Sequence, residues 1–214
     1  KHSMVVSQLR HSQVGDVLHR DNLDPSPFGQ FESWFRDACN TSDMDPNAMA
    51  LATVDENGQP HNRTVLLKFF DDSGFVFYTN YESKKAKQIE ANDNVALLFF
   101  WRDLGRQVII RGRAEKVSTA ESLKYFATRP RGSQLGAWVS HQSSIITSRQ
   151  LLEAKYEEMK RKFRNKEVPL PDFWGGYRVV PEAFEFWQGK SLRLHDRFLY
   201  TLDGNDWQIE RLQP

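Results

Sequence analysis

Between Ala48 and Val117 the chain is cut into short apolar or β-branched runs by turn sequences, and this punctuation restricts the fold more than any other feature. Ala48–Val54, Arg63–Phe70 and Phe75–Asn80 are separated by Asp55-Glu-Asn-Gly58 and Asp71-Asp-Ser-Gly74, which favour tight reversals. Val95–Trp101 and Gln107–Val117 follow across an Asp103-Leu-Gly105 turn. Consecutive hairpins predict an antiparallel meander, and five or more such strands lose their exposed edges by closing into a small barrel. The tail repeats the pattern: Gly176–Val180, Arg197–Leu202 and Trp207–Leu212 read as strands, with Asp203-Gly204 as a hairpin turn.

Helices are fewer. Phe28, Phe31, Trp34, Phe35 and Ala38 recur at three-and-four spacing behind Ser26 as cap and Pro27 as first-turn proline. Ser83–Asn92 reads as a short basic helix, and Ser118-Thr-Ala-Glu121 as a capping box opening a helix to about Thr128. Another helix spans roughly Ser148–Lys166, with Leu152, Tyr156, Met159 and Phe163 as its buried stripe. The fold class expected is α+β, mainly β, an antiparallel barrel with peripheral helices. Residues 1–26 are polar and read as a mobile N-terminal arm, and 27–214 as a single domain without repeat or linker.

Composition removes several functions. With 29 basic and 28 acidic side chains the charge is nearly balanced, which argues against nucleic acid as the main partner. Cys39 is the only cysteine, so an intrachain disulfide is impossible and a reducing, cytoplasmic setting is expected. The longest apolar run, Val95–Trp101, is too short to span a bilayer, and no signal-peptide apolar region opens the sequence. The six histidines do not cluster with carboxylates at ligand spacing, so no metal is expected. A dinucleotide fingerprint is also missing.

Three groups of residues point to anionic ligands. Tyr78-Thr79 at a strand end, followed by Ser83-Lys84-Lys85 at a helix start, suits a phosphate dianion. Tyr125 and Arg129, four apart on one helix face, with Ser133 beyond the next turn, form a candidate phosphomonoester clamp. Arg63 and Lys68 are five apart, so on a regular strand they face opposite sides and serve different ends of the ligand set. In Glu185–Arg197 (EFWQGKSLRLHDR), Arg193, His195 and Arg197 are spaced by two, and on an extended segment they point one way. Phe186 and Trp187 lead into these residues and Leu192, Leu194, Phe198 and Leu199 interleave or follow, which predicts that one side of the segment packs on a core.

The Glu185–Arg197 run resembles the C-terminal signature of the pyridoxamine/pyridoxine 5′-phosphate oxidases, FMN enzymes that make pyridoxal 5′-phosphate. The motifs at 63–68, 125–133 and 138–143 are similar to that family too. The resemblance implies an antiparallel FMN-binding split β-barrel and a homodimer whose FMN sites lie at the interface. It implies that Arg63, Thr64, Val65, Leu66, Leu67 and Lys68 line the flavin, and that Tyr78, Thr79, Lys84, Lys85, Gln107, Gln142, Ser143, Trp187 and Arg197 also contact it. Lys84 stands where the family has arginine, which keeps charge but loses the bidentate fork. Lys68, Tyr125, Arg129 and Ser133 would hold the substrate phosphate, and Arg193 and His195 would flank its pyridine as catalytic residues. Leu9-Arg10 matches the start of the family's N-terminal lid motif, which assigns Arg10 to the substrate, whereas His11-Ser12-Gln13 departs from it.

The implied reaction takes a hydride from C4′ of pyridoxine or pyridoxamine 5′-phosphate, with dioxygen reduced to hydrogen peroxide. Two alternatives stay open on sequence. Another split-barrel flavoprotein, such as a flavin reductase-like enzyme, need not have the clamp, and a non-catalytic pyridoxal 5′-phosphate carrier needs no flavin ligands.

Overall fold

The computed structural model describes residues 14–214, so Arg10 and its neighbours lie outside the described residues. Within that span the strands are β1 (Ala48–Val54), β2 (Pro60–Leu66), β3 (Phe69–Asp71), β4 (Gly74–Asn80), β5 (Asn94–Trp101), β6 (Arg106–Lys116), β7 (Trp174–Gln188), β8 (Asp196–Asp203) and β9 (Asp206–Leu212). The helices are α1 (Pro27–Cys39), α2 (Lys84–Ala91), α3 (Thr119–Thr128), α4 (Arg131–Val139) and α5 (Arg149–Lys162). The strands form one sheet in the order β2-β1-β5-β6-β7-β4-β3, with β8 pairing β7 and β9 pairing β8. The α+β antiparallel barrel class follows, and the turns at Gly58, Gly74, Gly105 and Gly204 all carry the positive φ that favours glycine.

The run expected as one strand, Arg63–Phe70, is two strands interrupted at Leu67-Lys68. The reason is topological: β2 and β3 are adjacent in sequence but stand at opposite ends of the strand order, so the chain must change course between them. Leu67 is buried at this seam, and the Lys68 amide donates to Val76 O at 2.9 Å.

By contact density the described chain resolves into two units. The first takes residues up to Ala50, Ala96–Arg111 and Pro181–Pro214; the second takes Leu51–Val95 and Gly112–Val180.

In the first unit the aromatic stripe of α1 is core. Phe28 meets Phe184 edge-on at 5.3 Å, Phe31 meets Phe99 at 5.0 Å, and Trp34 meets Phe186 at 5.3 Å. Each such ring, fully removed from water, contributes roughly 2–3 kcal/mol. Pro27 opens the helix as expected, but Ser26 does not cap it with its side chain. Its amide donates instead to Asp24 Oδ1, and the Asp24 amide donates to Gln30 Oε1. β7, β8 and β9 form an antiparallel hairpin series with Phe186 opposite Phe198 and Trp187 opposite Arg197.

In the second unit β4 pairs β7 with Tyr78 opposite Gly176 and Asn80 opposite Trp174. Gly176 is required by close approach, since a Cβ there would lie 2.9 Å from the Tyr78 ring. Ser118 caps α3 by accepting from the Glu121 amide at 3.1 Å, while the Glu121 carboxylate binds Arg178. α4 was not anticipated; Gly132 and Gly136 weaken its helix signature, yet Leu135 and Val139 are buried. On α5 the expected stripe is inward except at its start: Phe163 is buried with Phe126, Leu135, Val168 and Trp174, Tyr156 and Met159 pack on that cluster, and Leu152 is 36% exposed. Arg131 donates to Lys166 O and Phe163 O, satisfying carbonyls at the end of α5.

Candidate active site

The second unit holds a cavity of about 1010 Å³. Its lining carries five cations, Arg63, Lys68, Lys84, Lys85 and Arg129, and no aspartate or glutamate among the described residues. Positive groups gathered without a carboxylate make a site for anions. Both Arg63 and Lys68 line this one cavity, so the expectation that they face opposite sides is corrected: the seam at Leu67-Lys68 breaks the two-residue alternation. Thr64, Val65 and Leu66 line it too, whereas Leu67 is buried and does not.

At one end, β2 and α2 set an anion seat. Arg63 donates from Nη1 to Leu51 O at 2.9 Å and Thr53 Oγ1 at 2.7 Å, and from Nη2 to Gln88 Oε1 at 2.9 Å. Lys85, only 8% exposed, donates to Thr79 Oγ1 at 3.0 Å and Gln142 Oε1 at 2.7 Å. Burial, reinforced by the charge of Arg63, depresses Lys85 to about 8. Burial likewise lowers Arg63, which nevertheless stays charged. Ser83 caps α2, which turns Lys84, Lys85 and Gln88 toward the cavity; Lys84 donates its backbone amide to Ser143 Oγ at 3.3 Å. Asn80 donates to Ser140 O at 2.9 Å and so ties the loop bearing Gln142 and Ser143 to the end of β4. Ser143 adopts a left-handed φ of 69° there.

At the other end the wall is aromatic. Tyr78 and Tyr125 stack at 4.0 Å, and Tyr78 and Trp174 at 5.4 Å. Arg129 lies 4.7 Å over the Trp174 ring, and its buried Nη1 has no hydrogen-bond partner. A guanidinium held by a ring, with a donor unanswered, is ready for an incoming acceptor. Burial lowers Arg129 and raises Tyr78, so that phenol stays protonated. Arg129 is not on the Tyr125 helix as spacing predicted: α3 stops at Thr128 and Arg129 is extended. The unanticipated α4 brings Ser133 to the same cavity. Trp174, Asn80 and Gln88 also line the cavity and belong to none of the motifs that the sequence offers.

Trp187, Arg193, His195 and Arg197 belong to the first unit, as does Gln107 on β6. The row of three aligned cations is not formed. Ser191–Arg193 is a short 3-10 turn in which Leu192 and Arg193 have φ of 56° and 59°, so the extended alternation fails. Phe186 and Phe198 are buried as expected of a segment packed on a core, but Arg193 is exposed, and Leu192 and Leu194 are 87% and 66% exposed. His195 lies 4.7 Å from the Trp187 ring, and its Nδ1 accepts from the Lys190 amide at 3.0 Å, which puts the proton of a neutral ring on Nε2. Arg197 donates from Nη2 to Glu185 Oε1 at 2.6 Å and from Nη1 to Gln213 O at 2.7 Å. The hydrogen bond to Glu185 raises Arg197 further.

Two other members of the motif are structural locks. Gln188, fully buried, accepts from Arg106 Nε at 2.8 Å and donates to Leu104 O at 3.0 Å. Asp196 accepts from the Leu18 amide at 2.9 Å and Arg211 Nη1 at 2.7 Å. Burial pushes the Asp196 carboxyl up, but these bonds together outweigh it and hold it below the usual range. Lys190 Nζ donates to Gly15 O, and Arg211 Nη2 to Leu18 O at 2.8 Å.

Comparison with known proteins gives a consistent result. A sequence profile described as pyridoxamine 5′-phosphate oxidase matches residues 35–163. A second, described as the pyridoxine 5′-phosphate oxidase C-terminal dimerisation region, matches residues 174–214. The pyridoxine/pyridoxamine 5′-phosphate oxidase of Rippkaea orientalis is 62% identical over 212 residues, covering 99% of this chain and 100% of that protein. The protein of the same name from Escherichia fergusonii is 54% identical over 209 residues, covering 98% of this chain and 96% of its own. Among solved structures, PhzG from Burkholderia lata, bound to tetrahydrophenazine-1-carboxylic acid, superposes with a TM-score of 0.88 at 31% identity, over 94% of this chain and 100% of that one. An FMN-binding protein from Nostoc punctiforme related to pyridoxamine 5′-phosphate oxidase shares the fold, with a TM-score of 0.74 at 16% identity over 90% and 100% of the two chains.

Proposed function

This chain belongs to the pyridoxamine 5′-phosphate oxidase family, and from that premise we propose that it oxidises pyridoxine or pyridoxamine 5′-phosphate to pyridoxal 5′-phosphate, with FMN as its cofactor. The observation that carries the reading is the carboxylate-free cavity with two distinct sets of phosphate-suited donors. One set, Arg63, Lys84 and Lys85 with Thr79, Gln142 and Ser143, fits the flavin phosphate. The other, Lys68, Tyr125, Arg129 and Ser133, fits the substrate phosphate. When bound, FMN supplies a two-electron acceptor for the hydride leaving C4′, and dioxygen then carries the electrons away as hydrogen peroxide.

The chain's own share is placement and charge. Gripping the non-reacting phosphate turns binding energy into orientation of C4′. Arg129, parked on Trp174 with Nη1 unanswered, gains a charge-assisted hydrogen bond when the phosphate arrives. Arg193 and His195 act on the substrate ring as electrostatic groups, and Trp187, Gln107 and Arg197 complete the flavin surroundings. The match of residues 174–214 to a dimerisation region supports a homodimer in which these residues serve a shared site. Among the described residues no helix is long and apolar enough to cross a membrane. A single cysteine, Cys39, suits the reducing setting of the cytoplasm.

The test is oxygen consumption by the purified yellow protein. Pyridoxine 5′-phosphate should yield hydrogen peroxide and pyridoxal 5′-phosphate in equal amounts, while unphosphorylated pyridoxine at the same concentration should yield very little. A colourless protein that takes up no FMN, or equal turnover of both substrates, contradicts the reading.

A further inference from the structure

Among the described residues Arg63 is held by neutral acceptors alone. Its partners are Leu51 O, Thr53 Oγ1 and Gln88 Oε1, and Thr53, while accepting from Arg63, donates onward to Gln88 Oε1 at 2.6 Å. Thr53 is fully buried and Gln88 is 8% exposed. A guanidinium has five N–H donors, and these bonds use both on Nη1 and one on Nη2. What remains is Nε–H and the second Nη2 hydrogen, which share one edge and match two oxygens of a phosphate.

We propose that Gln88 and Thr53 are positioning residues for Arg63: a buried, uncharged pair that fixes the guanidinium with its free edge toward the flavin phosphate and leaves its charge uncompensated. The proposal rests on the FMN reading above. The same chain supplies the contrast, because Arg197 lies against the carboxylate of Glu185 and its charge is already answered. Glutamine differs from glutamate at this position by one nitrogen for one oxygen. Shape is therefore conserved between the two, and electrostatics distinguishes them. Gln88 also sits one helical turn beyond Lys84 on α2, so the element that brings the lysines to the cavity carries the residue that aims the arginine.

The experiment is titration of the flavin-stripped full chain with FMN and, in parallel, with riboflavin, which lacks the phosphate. Quenching of flavin fluorescence gives both affinities. Gln88→Glu should weaken FMN roughly tenfold or more, the scale of a lost charge-assisted contact, and leave riboflavin within about twofold. Thr53→Val, which keeps the side chain's shape, should shift FMN in the same selective direction and decides the matter if Gln88→Glu does not fold. Equal losses for both ligands with a lowered melting temperature would mean a purely structural role and overturn the proposal, as would unchanged FMN affinity. Wild-type protein that binds FMN no more tightly than riboflavin would instead refute the cofactor reading, and the positioning role with it.

Discussion

Lys85 is a cavity residue whose chemistry its surroundings alter strongly, and its titration is measurable. Burial first, and the neighbouring charge of Arg63 second, bring it from 10.5 to about 8. Because the folded-state value is depressed, charged Lys85 opposes folding of the empty protein at lower pH. The fold sheds this proton before the unfolded chain does, so the empty protein gains stability as pH rises from about 8 toward 10.5. A bound phosphate dianion acts oppositely, since it favours the ammonium. FMN affinity relative to riboflavin should therefore decline above about pH 8, and Lys85→Met should flatten that decline. Parallel fluorescence titrations from about pH 7 to pH 10 check it, and a constant ratio in the wild type contradicts it. The sequence named Lys85 through its place after Ser83, but gave no sign that Thr79 and Gln142 would bury it. Gln88 and Trp174 were illegible for a related reason: a residue that acts by holding another has no motif of its own.

Among the elements, strands were legible and short helices less so. Turn residues and alternating runs locate β1, β4, β5 and β6 to within a residue or so, since each signal is local. The helix α4 escaped because its two glycines and weak stripe oppose local propensity, and tertiary burial of Leu135 and Val139 decides instead. The turn at Ser191–Arg193 escaped because left-handed φ at Leu192 and Arg193 contradicts what those residue types prefer alone. Arg131 links α4 to the carboxyl end of α5 through two main-chain carbonyls. Arg131→Met should lower stability by about 1–3 kcal/mol, because two acceptors lose a charged donor, while leaving the cavity's cations in place. Urea unfolding reads the loss, and a midpoint unchanged from wild type contradicts the capping role.

For the whole molecule, the family and reaction class were legible from thirteen residues near the end of the chain, while the arrangement of those residues was not. Leu192 and Leu194, expected against a core, are open to solvent in the single chain, within the segment matching the family's dimerisation region. We assign these exposed leucines to the contact with a second subunit. Sedimentation of the wild type should give twice the chain mass of 25.0 kDa. Leu194→Glu, which places a charge in that interface, should shift the population toward the monomer and release flavin, and a variant that stays dimeric with flavin retained contradicts the assignment.

The break at Leu67-Lys68 has a bearing on how such a protein can vary. Because the chain crosses there from one margin of the sheet to the other, the spacing between Arg63 and Lys68 works, on the function proposed above, as a ruler laid between two ligand heads. A single residue inserted or removed would misalign both seats at once, so this span should tolerate exchanges of side chain but not of length.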